Sequence, residues 1–589
     1  MDLNAWIAVG VVLLCLGLLI SERLSAELVL LLCLLILLLT GVLTPAEGLA
    51  GFANEGMITV AAMYVIAAGL RETGAIDLIV HRALGQPRGP LQAQSRIIAP
   101  TVALSAFINN TPVVAAFMPA VLAWCKRNGM APSKLLMPLS FAAILGGTCT
   151  LIGTSTNLVV NGLWRDAGHP GLGMFDIAWV GVPAAIAGIG YLLLIGTRLL
   201  PDRRSSEQMF ENPREYTVEM RVDADGPLAG KTIVEAGLRH LGSLFLIEIE
   251  RGGRIIPAVN SVEPLMAHDR LVFAGDVSAI VELKRIRGLS PALEGDAVLS
   301  RQVPERRMVE VVVSARCPLL NQTLRDSRFH SYYGASVVAV ARDGQRISGS
   351  LGSVALKTAD TLLLEARPDW VQRHRHSPDF LLVSDVAGSE APRFDLALRA
   401  WVILAAVIIS ASVGWLDMLL AALLGAAAML ATGCLSLATA RRSIDSQVLL
   451  VIACSFALGK ALDVTGAAAT LAHGVLDLPG DLHPWLVLGL AYLLVTMLTE
   501  VITNNAAAAL MFPILLAVSE ALGVSPMPFV ITLMMAASSS FSTPLGYQTN
   551  LMVSGPGGYR FVDFLRVGGL LNLVVGVVTV ALTPLFFPF

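Results

Sequence analysis

Residues 99–122 read APTVALSAFINNTPVVAAFMPAVL, and residues 493–516 read LLVTMLTEVITNNAAAALMFPILL. Each apolar run is broken by a polar triplet, Asn109-Asn110-Thr111 in the first and Thr503-Asn504-Asn505 in the second. A second break follows each, Gly153-Thr154-Ser155-Thr156-Asn157 and Gly546-Tyr547-Gln548-Thr549-Asn550. The triplets lie 394 residues apart and the second breaks 393 apart. Upstream, Thr73-Gly74-Ala75 recurs 392 residues later as Thr465-Gly466-Ala467. The chain therefore holds two homologous halves, each with two interrupted apolar segments. Paired interruptions at corresponding positions are the sequence mark of a secondary transporter's binding site.

Composition points the same way. Of 589 residues, 55% are hydrophobic and 14% charged, with mean hydropathy +0.71, which no soluble globular domain requires. The net charge of −3 carries no nucleic-acid footprint. The seven cysteines (Cys15, Cys33, Cys125, Cys149, Cys317, Cys434 and Cys454) are scattered without a CxxC pair and read as small core residues. The nine histidines show no metal-ligand spacing, and the charged run 373–376, RHRH, reads as a solvated linker. No nucleophile–base pair or phosphate loop is visible, and Gly252-Gly253 is a turn rather than a dinucleotide fingerprint, so an enzyme is not expected. The run from Leu3 to Ile20 lacks a basic leader and a small-residue cleavage site, and reads as a first transmembrane helix.

Hydropathy predicts membrane-length runs at about 4–21, 25–43 and 56–72, with an amphipathic stretch near 76–86. A re-entrant hairpin at about 97–125, a broken helix at 134–162 and a run at 175–199 complete a first repeat over 1–200. The pattern returns over 394–589: runs at 398–415, 417–433 and 446–462, a re-entrant hairpin at about 484–519, a broken helix at 527–554 and a last run at 562–587. With hairpins that do not cross, each half crosses the bilayer five times, so the second half is inverted relative to the first. One set of loops carries the arginines and lysines (Arg71, Arg96, Lys134, Arg203, Arg441 and Arg560 among them), while the opposite set holds Arg165 alone. The positive-inside rule then makes the insert 201–393 cytoplasmic and places both termini outside.

The insert is itself duplicated. Pro227-Leu228-Ala229-Gly230-Lys231-Thr232 matches Pro318-Leu319-Leu320-Asn321-Gln322-Thr323, and His268-Asp269-Arg270-Leu271 matches Ala359-Asp360-Thr361-Leu362. Alternating runs such as LFLIEIE and ASVVAVAR read as strands, and helices are expected to start at Thr232 and Thr323. Two α+β modules result, at 207–290 and 305–386.

The breaks carry chemistry. Backbone freed inside a membrane must line a protein cavity. Freed carbonyls with Ser, Thr and Asn oxygens suit a small hard cation such as Na⁺. Helix N-termini at the hairpin tips offer N–H groups and the positive end of a dipole to an anion, so a carboxylate or sulfate can bind without Arg or Lys. A lone Asn or Thr in such a helix is more commonly glue between helices, but four breaks at matched positions are not explained that way. Glu500, three residues before Thr503, is ionisable inside a hairpin and reads either as a coupling group or as a structural or capping carboxylate. Its counterpart by offset is Ala106, so it stands outside the repeated set.

These residues resemble a known family. Phe107-Ile108-Asn109-Asn110-Thr111 and Thr499-Glu500-Val501-Ile502-Thr503-Asn504-Asn505 resemble the paired Ser-Asn-Thr hairpins of the divalent anion/sodium symporters (DASS, SLC13-type permeases). The stretch 146–157 is similar to that family's first unwound helix. The two modules resemble TrkA-C (RCK-C) ligand-binding modules, which points to the family's branch carrying them. The resemblance implies an all-α polytopic membrane protein with an inverted-repeat transporter fold, two re-entrant hairpins, broken helices and two inserted α+β TrkA-C domains. It implies a homodimer in a bacterial inner (plasma) membrane, an elevator-type motion, Na⁺ as coupling ion and a small anionic substrate. It assigns Na⁺ to Asn109, Asn110, Thr148, Gly153 and Asn157 in one half, and to Thr503, Asn504, Thr543, Gly546 and Asn550 in the other. It assigns substrate to Asn110, Thr111, Thr154, Asn504, Asn505, Tyr547 and Gln548. The sequence departs from the family at Asn109, Thr503 and Asn505, and lacks the prolines of the dicarboxylate carriers after Thr154 and at 547–549. With the inserted modules, that favours sulfate over a dicarboxylate.

Two other functions stay open. An H⁺- or Na⁺-linked antiporter or arsenite-type carrier of the same superfamily would want ionisable residues in both halves, and only Glu500 qualifies. A ligand-gated channel or membrane sensor would put the work in the insert, whose modules either bind a small regulatory ligand or only stabilise a dimer.

Overall fold

The computed structural model describes residues 2–589 apart from 22–23, 77–78, 80–88, 204–216, 239–243, 258–262, 276–285, 292–306, 348–350, 386–393, 477–482 and a few shorter positions. The amphipathic stretch expected near 76–86 falls largely, and the turn at Gly252-Gly253 wholly, outside the described residues.

Within a bilayer only internally bonded backbone is tolerated, and the membrane halves are helical throughout. Among the described residues, six helices are long and apolar enough to cross: Leu3–Ile20, Pro45–Glu72, Ala178–Leu199, Ser446–Val464, Asn504–Ala521 and Phe561–Phe586. Shorter apolar helices, among them Ala26–Leu39 and Met418–Ala431, pack between them. Large apolar side chains such as Leu13, Leu398, Val402, Ile409, Leu573 and Val577 point outward, as on a surface whose solvent is lipid.

The same starts and stops recur in both halves. Asn54 caps helix Glu55–Glu72 by accepting from the N–H groups of Gly56 and Met57, and Asp445 caps Ser446–Val464 by accepting from Val448. At the other ends, Thr73 and Thr465 return their hydroxyls to the carbonyls of Gly69 (2.8 Å) and Ala461 (2.6 Å). Gly74 and Gly466 follow with φ of 65° and 67°, a left-handed turn that favours glycine. The repeated Thr-Gly-Ala is thus a helix stop.

Both hairpins form. The first pairs Pro90–Ser105 with Asn110–Asn128, the second Pro484–Thr499 with Asn504–Ala521. The broken helices are Leu136–Gly147 with Ser155–Asp166, and Met527–Ser538 with Gln548–Gly557. Leu136–Gly147 is buried at every position and, Ser140 apart, apolar on all sides, as suits a central helix. The breaks therefore sit at the centre of the bundle.

Glycines let the last helix of each half approach these breaks. A Cβ on Gly181 would collide with the Thr148 carbonyl, and one on Gly568 with the Phe541 carbonyl. Both contacts bring a helix flank against freed backbone.

The insert folds as two five-stranded antiparallel sheets. The first holds β1 (Thr217–Val222), β2 (Leu244–Arg251), β3 (Arg254–Pro257), β4 (Arg270–Gly275) and β5 (Leu289–Pro291). The second holds β6 (Arg307–Val313), β7 (Ser336–Arg342), β8 (Gln345–Arg346), β9 (Thr361–Ala366) and β10 (Phe380–Asp385). Their orders, β3-β2-β4-β1-β5 and β8-β7-β9-β6-β10, are the same once the strands are matched. Arg251 grips Asp269 as Arg342 grips Asp360, each by two hydrogen bonds of 2.7–2.9 Å. The helices expected at Thr232 and Thr323 are turns instead. Each threonine forms a bridge, to Pro264 or Ala355, which ties the backbone to the sheet before a helix can propagate. Their capping bonds survive, with Thr232 bonded to Glu235 and Thr323 to Asp326. The second module touches the membrane half: Arg316 pairs with Asp445, and Ala359 and Thr361 abut Gly555.

Candidate functional site

Each hairpin tip is held by one hydroxyl. Ser105 donates to Asn110 Oδ1 at 2.6 Å, and Thr499 donates to Asn504 Oδ1 at 2.9 Å. Each broken helix is held by one asparagine across its gap. Asn157 Nδ2 donates to the Thr150 carbonyl at 2.9 Å, and Asn550 Nδ2 to the Thr543 and Ser540 carbonyls at 3.1 and 2.9 Å. Tip and gap are then joined: Thr150 donates to the Ala106 carbonyl, and Thr543 to the Glu500 carbonyl at 3.1 Å. These three contacts recur at offsets of 393 or 394 residues.

Glycine completes each junction. A Cβ on Gly153 would meet the carbonyl oxygens of Gly147 (2.6 Å) and Ser105 (2.9 Å). One on Gly546 would meet Ser540 Oγ and the Thr499 carbonyl, the latter at 3.0 Å. Each glycine thus faces a cluster of oxygens that a side chain would fill.

The halves meet at their tips. Asn110 Nδ2 donates to the Tyr547 hydroxyl at 2.6 Å, and that hydroxyl shares a 3.2 Å hydrogen bond with Thr154 Oγ1. Thr111 reaches Gln548 Oε1 at 3.3 Å, and Ser155 reaches Asn505 Oδ1 at 3.3 Å. Each hairpin therefore contacts the break of the other half. Ser140 fastens the arrangement by donating to Asn550 Oδ1 at 2.7 Å.

Helices begin at Asn110, Ser155, Asn504 and Gln548, so four N-termini surround one region. The residues before three of them, Thr154, Thr503 and Tyr547, are extended and cap nothing with their side chains. Their first N–H groups are free to meet an anion. No Lys, Arg or His takes part in these contacts. Glu500 is the one carboxylate, and it is turned toward the gap, accepting from Ser542 N–H (2.7 Å), Asn572 Nδ2 (2.9 Å) and Ser540 Oγ (3.2 Å).

The donor set fits a small hard cation. It consists of oxygens alone, and Asn157 Oδ1 is buried without a hydrogen-bond partner. Asn109 and Thr503 hold the positions before the two tip helices. Thr148 does not join the set: its hydroxyl turns back to the Leu145 carbonyl at 2.8 Å, and Thr150 is the residue matching Thr543. Reading the sequence missed Ser105, Thr499, Thr150 and Ser155. Ser105 and Thr499 were available, since they share the 394-residue offset of the triplets.

The interrupted helices and their meeting point define a polytopic membrane transporter. A model of the citrate transporter family, CitMHS, matches residues 16–533. A Chlamydomonas reinhardtii protein named for regulating the sulfur deprivation response is 40% identical, covering 94% of this chain and 96% of its own length. A transporter of Synechocystis is 32% identical over 99% of this chain and 98% of its own length. Sodium/sulfate cotransporter 2 of Chlamydomonas reinhardtii is 26% identical over 90% of this chain and 83% of its own length. The chain belongs to the citrate transporter (CitMHS) family, within the divalent anion/sodium symporters that its hairpins resemble.

Proposed function

We propose that the protein is a Na⁺-coupled symporter of a small divalent anion, sulfate before a dicarboxylate. The observation that carries this reading is the convergence of four helix N-termini and neutral Asn, Thr, Tyr and Gln donors, with no cationic side chain, between two matching oxygen clusters. A divalent oxyanion is held there by N–H groups and dipoles. Asn110, Thr111, Thr154, Asn504, Asn505, Tyr547 and Gln548 orient it. Sodium, when bound, neutralises the anion's charge from both sides. One site draws on Asn109, Asn110, Gly153 and Asn157, the other on Thr503, Asn504, Thr543, Gly546 and Asn550. Ser105 and Thr499 hold the asparagines of both sites in register.

The two halves are an inverted repeat, the hairpins entering from opposite faces, and an elevator-type motion carries the site across. The unit is a homodimer in the plasma membrane, with the insert on the cytoplasmic side and both termini outside. The inserted sheets are TrkA-C modules that take a small regulatory ligand. The antiporter reading is disfavoured by Glu500, whose carboxylate already accepts three hydrogen bonds and has no ionisable partner in the first half.

Uptake of labelled sulfate and labelled succinate into proteoliposomes, with and without an inward Na⁺ gradient, tests the proposal. Sulfate uptake that needs Na⁺ and resists cold succinate is the expected result. Uptake indifferent to the gradient and without counterflow would make the protein a channel. Deleting 207–385 is expected to alter the transport rate and leave the sulfate-to-succinate preference unchanged; a switched preference would contradict a purely regulatory insert.

A further inference from the structure

The two halves close differently at one pair of matched ends. In the first half Asn54, the cap of helix Glu55–Glu72, lies against Gly162 on helix Ser155–Asp166, where an added Cβ would strike its side chain. Asn54 Nδ2 donates to Asp166 Oδ2 at 2.8 Å, and Arg165 pairs with both Glu55 and Asp417. The helix that leaves the first break is thereby tied at its far end to the helices beside it.

The counterparts in the second half stand apart. Gly555 answers to Gly162 at an offset of 393, and Asp445 holds the capping place of Asn54. Glu55–Glu72 packs along Ser155–Asp166, whereas Ser446–Val464 makes no contact of like extent with Gln548–Gly557. The second inserted module sits there instead. A Cβ on Gly555 would meet Thr361 Oγ1 at 2.8 Å, the Ala359 carbonyl at 3.0 Å and the Val312 side chain at 3.7 Å. Val312 and Thr361 are paired across β6 and β9 and are 0% and 1% exposed. From the same module Arg316 pairs with Asp445. One module therefore touches both elements that the first half joins directly.

These docking residues belong to the second copy alone. Val312, Arg316, Ala359 and Thr361 answer, at an offset of 91, to Arg221, Asp225, His268 and Arg270 in the first module. At three of the four positions the first copy carries a long basic or imidazole side chain in place of a small one. At the fourth the charge is reversed.

We propose that the second module is a built-in wedge that holds the carrier in one of its two end states. In an inverted repeat the end states exchange the arrangements of the halves. The opposite state brings Asp445 against Gly555, as Asn54 lies against Gly162 here. Ala359 and Thr361 occupy that place, so the module has to withdraw first. The contact is made to be given up: Thr361 Oγ1 is buried in it without a hydrogen-bond partner, and the Arg316 side chain is 35% exposed. Whatever moves the module then sets the transport rate without touching the anion site. The inference rests on the inverted-repeat, moving-site reading and supplies its control.

Two experiments on the full-length chain test the wedge. Thr361→Cys combined with Gly555→Cys places two thiols within disulfide reach. Oxidation is expected to lower Na⁺-driven sulfate uptake about tenfold or more, and reduction to restore it. Either cysteine alone is expected to be indifferent to the oxidant. Spin labels on Ala167→Cys and Ser412→Cys, both exposed at the end of the bundle opposite the insert, read the state without transport. The wild-type background is expected to give mainly one short distance. Arg316→Glu is expected to raise a longer one about fivefold, the scale of one part-exposed ion pair. Full uptake by the cross-linked chain, or unchanged distances in Arg316→Glu, overturns the wedge. A chain lacking 207–385 that also keeps the single short distance overturns the moving-site reading, and the wedge with it.

Discussion

Replacing Asn110 by alanine is expected to reduce Na⁺-driven uptake by about 100-fold, and replacing Asn504 by about 10-fold, while the chain remains folded. The magnitude follows from what each asparagine does. Asn110 accepts from Ser105 and donates to Tyr547, so its loss removes two hydrogen bonds from a buried site. At about 1.4 kcal/mol for each lost bond, two account for about two decades. Asn504 loses the Thr499 bond and with it the closure of the second tip. Uptake is the measurement, with the unfolding temperature of the same preparation as the control for folding. Near wild-type transport in either variant would remove these residues from the site. A loss of transport with an equal loss of folding would make the asparagines structural.

Gly568→Ala is expected to be the most damaging single methyl group in the membrane region. Its Cβ would fall inside the contact distance of the Phe541 carbonyl, and backbone cannot swing aside as a side chain can. Overpacking of a rigid contact costs up to about 3 kcal/mol, which in a chain of this length lowers the unfolding temperature by about 2–4 °C. The residue after Phe541 is Ser542, whose N–H holds Glu500, so transport is expected to fall with stability. Gly181→Ala is the matched variant, against the Thr148 carbonyl. Gly10→Ala, with nothing within 4 Å of the added carbon, is the control and is expected to be silent. Thermal unfolding in detergent compares the three. A Gly568→Ala protein as stable as Gly10→Ala would show that the helix does not need that approach.

Much of the fold was legible because a membrane leaves few options. Apolar length gives helices, and polar triplets inside such lengths have to be breaks, so helix pairs and broken helices appear near the expected positions, although the first pair begins at Pro90, seven residues before the expected start. The sheet duplication was legible for another reason: Pro227–Thr232 and His268–Leu271 recur 91 residues later as Pro318–Thr323 and Ala359–Leu362, whereas the matching of Arg251 with Asp269 to Arg342 with Asp360 emerged only from the structure. The pairing of breaks across the halves was not legible. Nothing in the spacing of Asn110 says that it meets Tyr547, since that depends on how two distant hairpins dock. Thr148 was chosen over Thr150 for a similar reason. Both are threonines in the gap, and only the turn of the backbone decides which hydroxyl points to the hairpin tip. The helices expected at Thr232 and Thr323 failed because a capping signal is local, and a strand bridge at the same residue outweighs it.

The bond between Asn110 and Tyr547 also sets a timetable for the cell. Its partners are 437 residues apart, and Thr111 must wait as long for Gln548. At a synthesis rate of about 5–20 residues per second, the first hairpin spends about 20–90 seconds in the membrane with its polar tip uncompleted. During that interval Asn110 and Thr111 must be sheltered by water, by lipid head groups or by the insertion machinery. A ribosome stalled before residue 547 leaves a chain with most of its helices and no finished site. Such a chain exposes polar groups to lipid and is a natural target for membrane quality control.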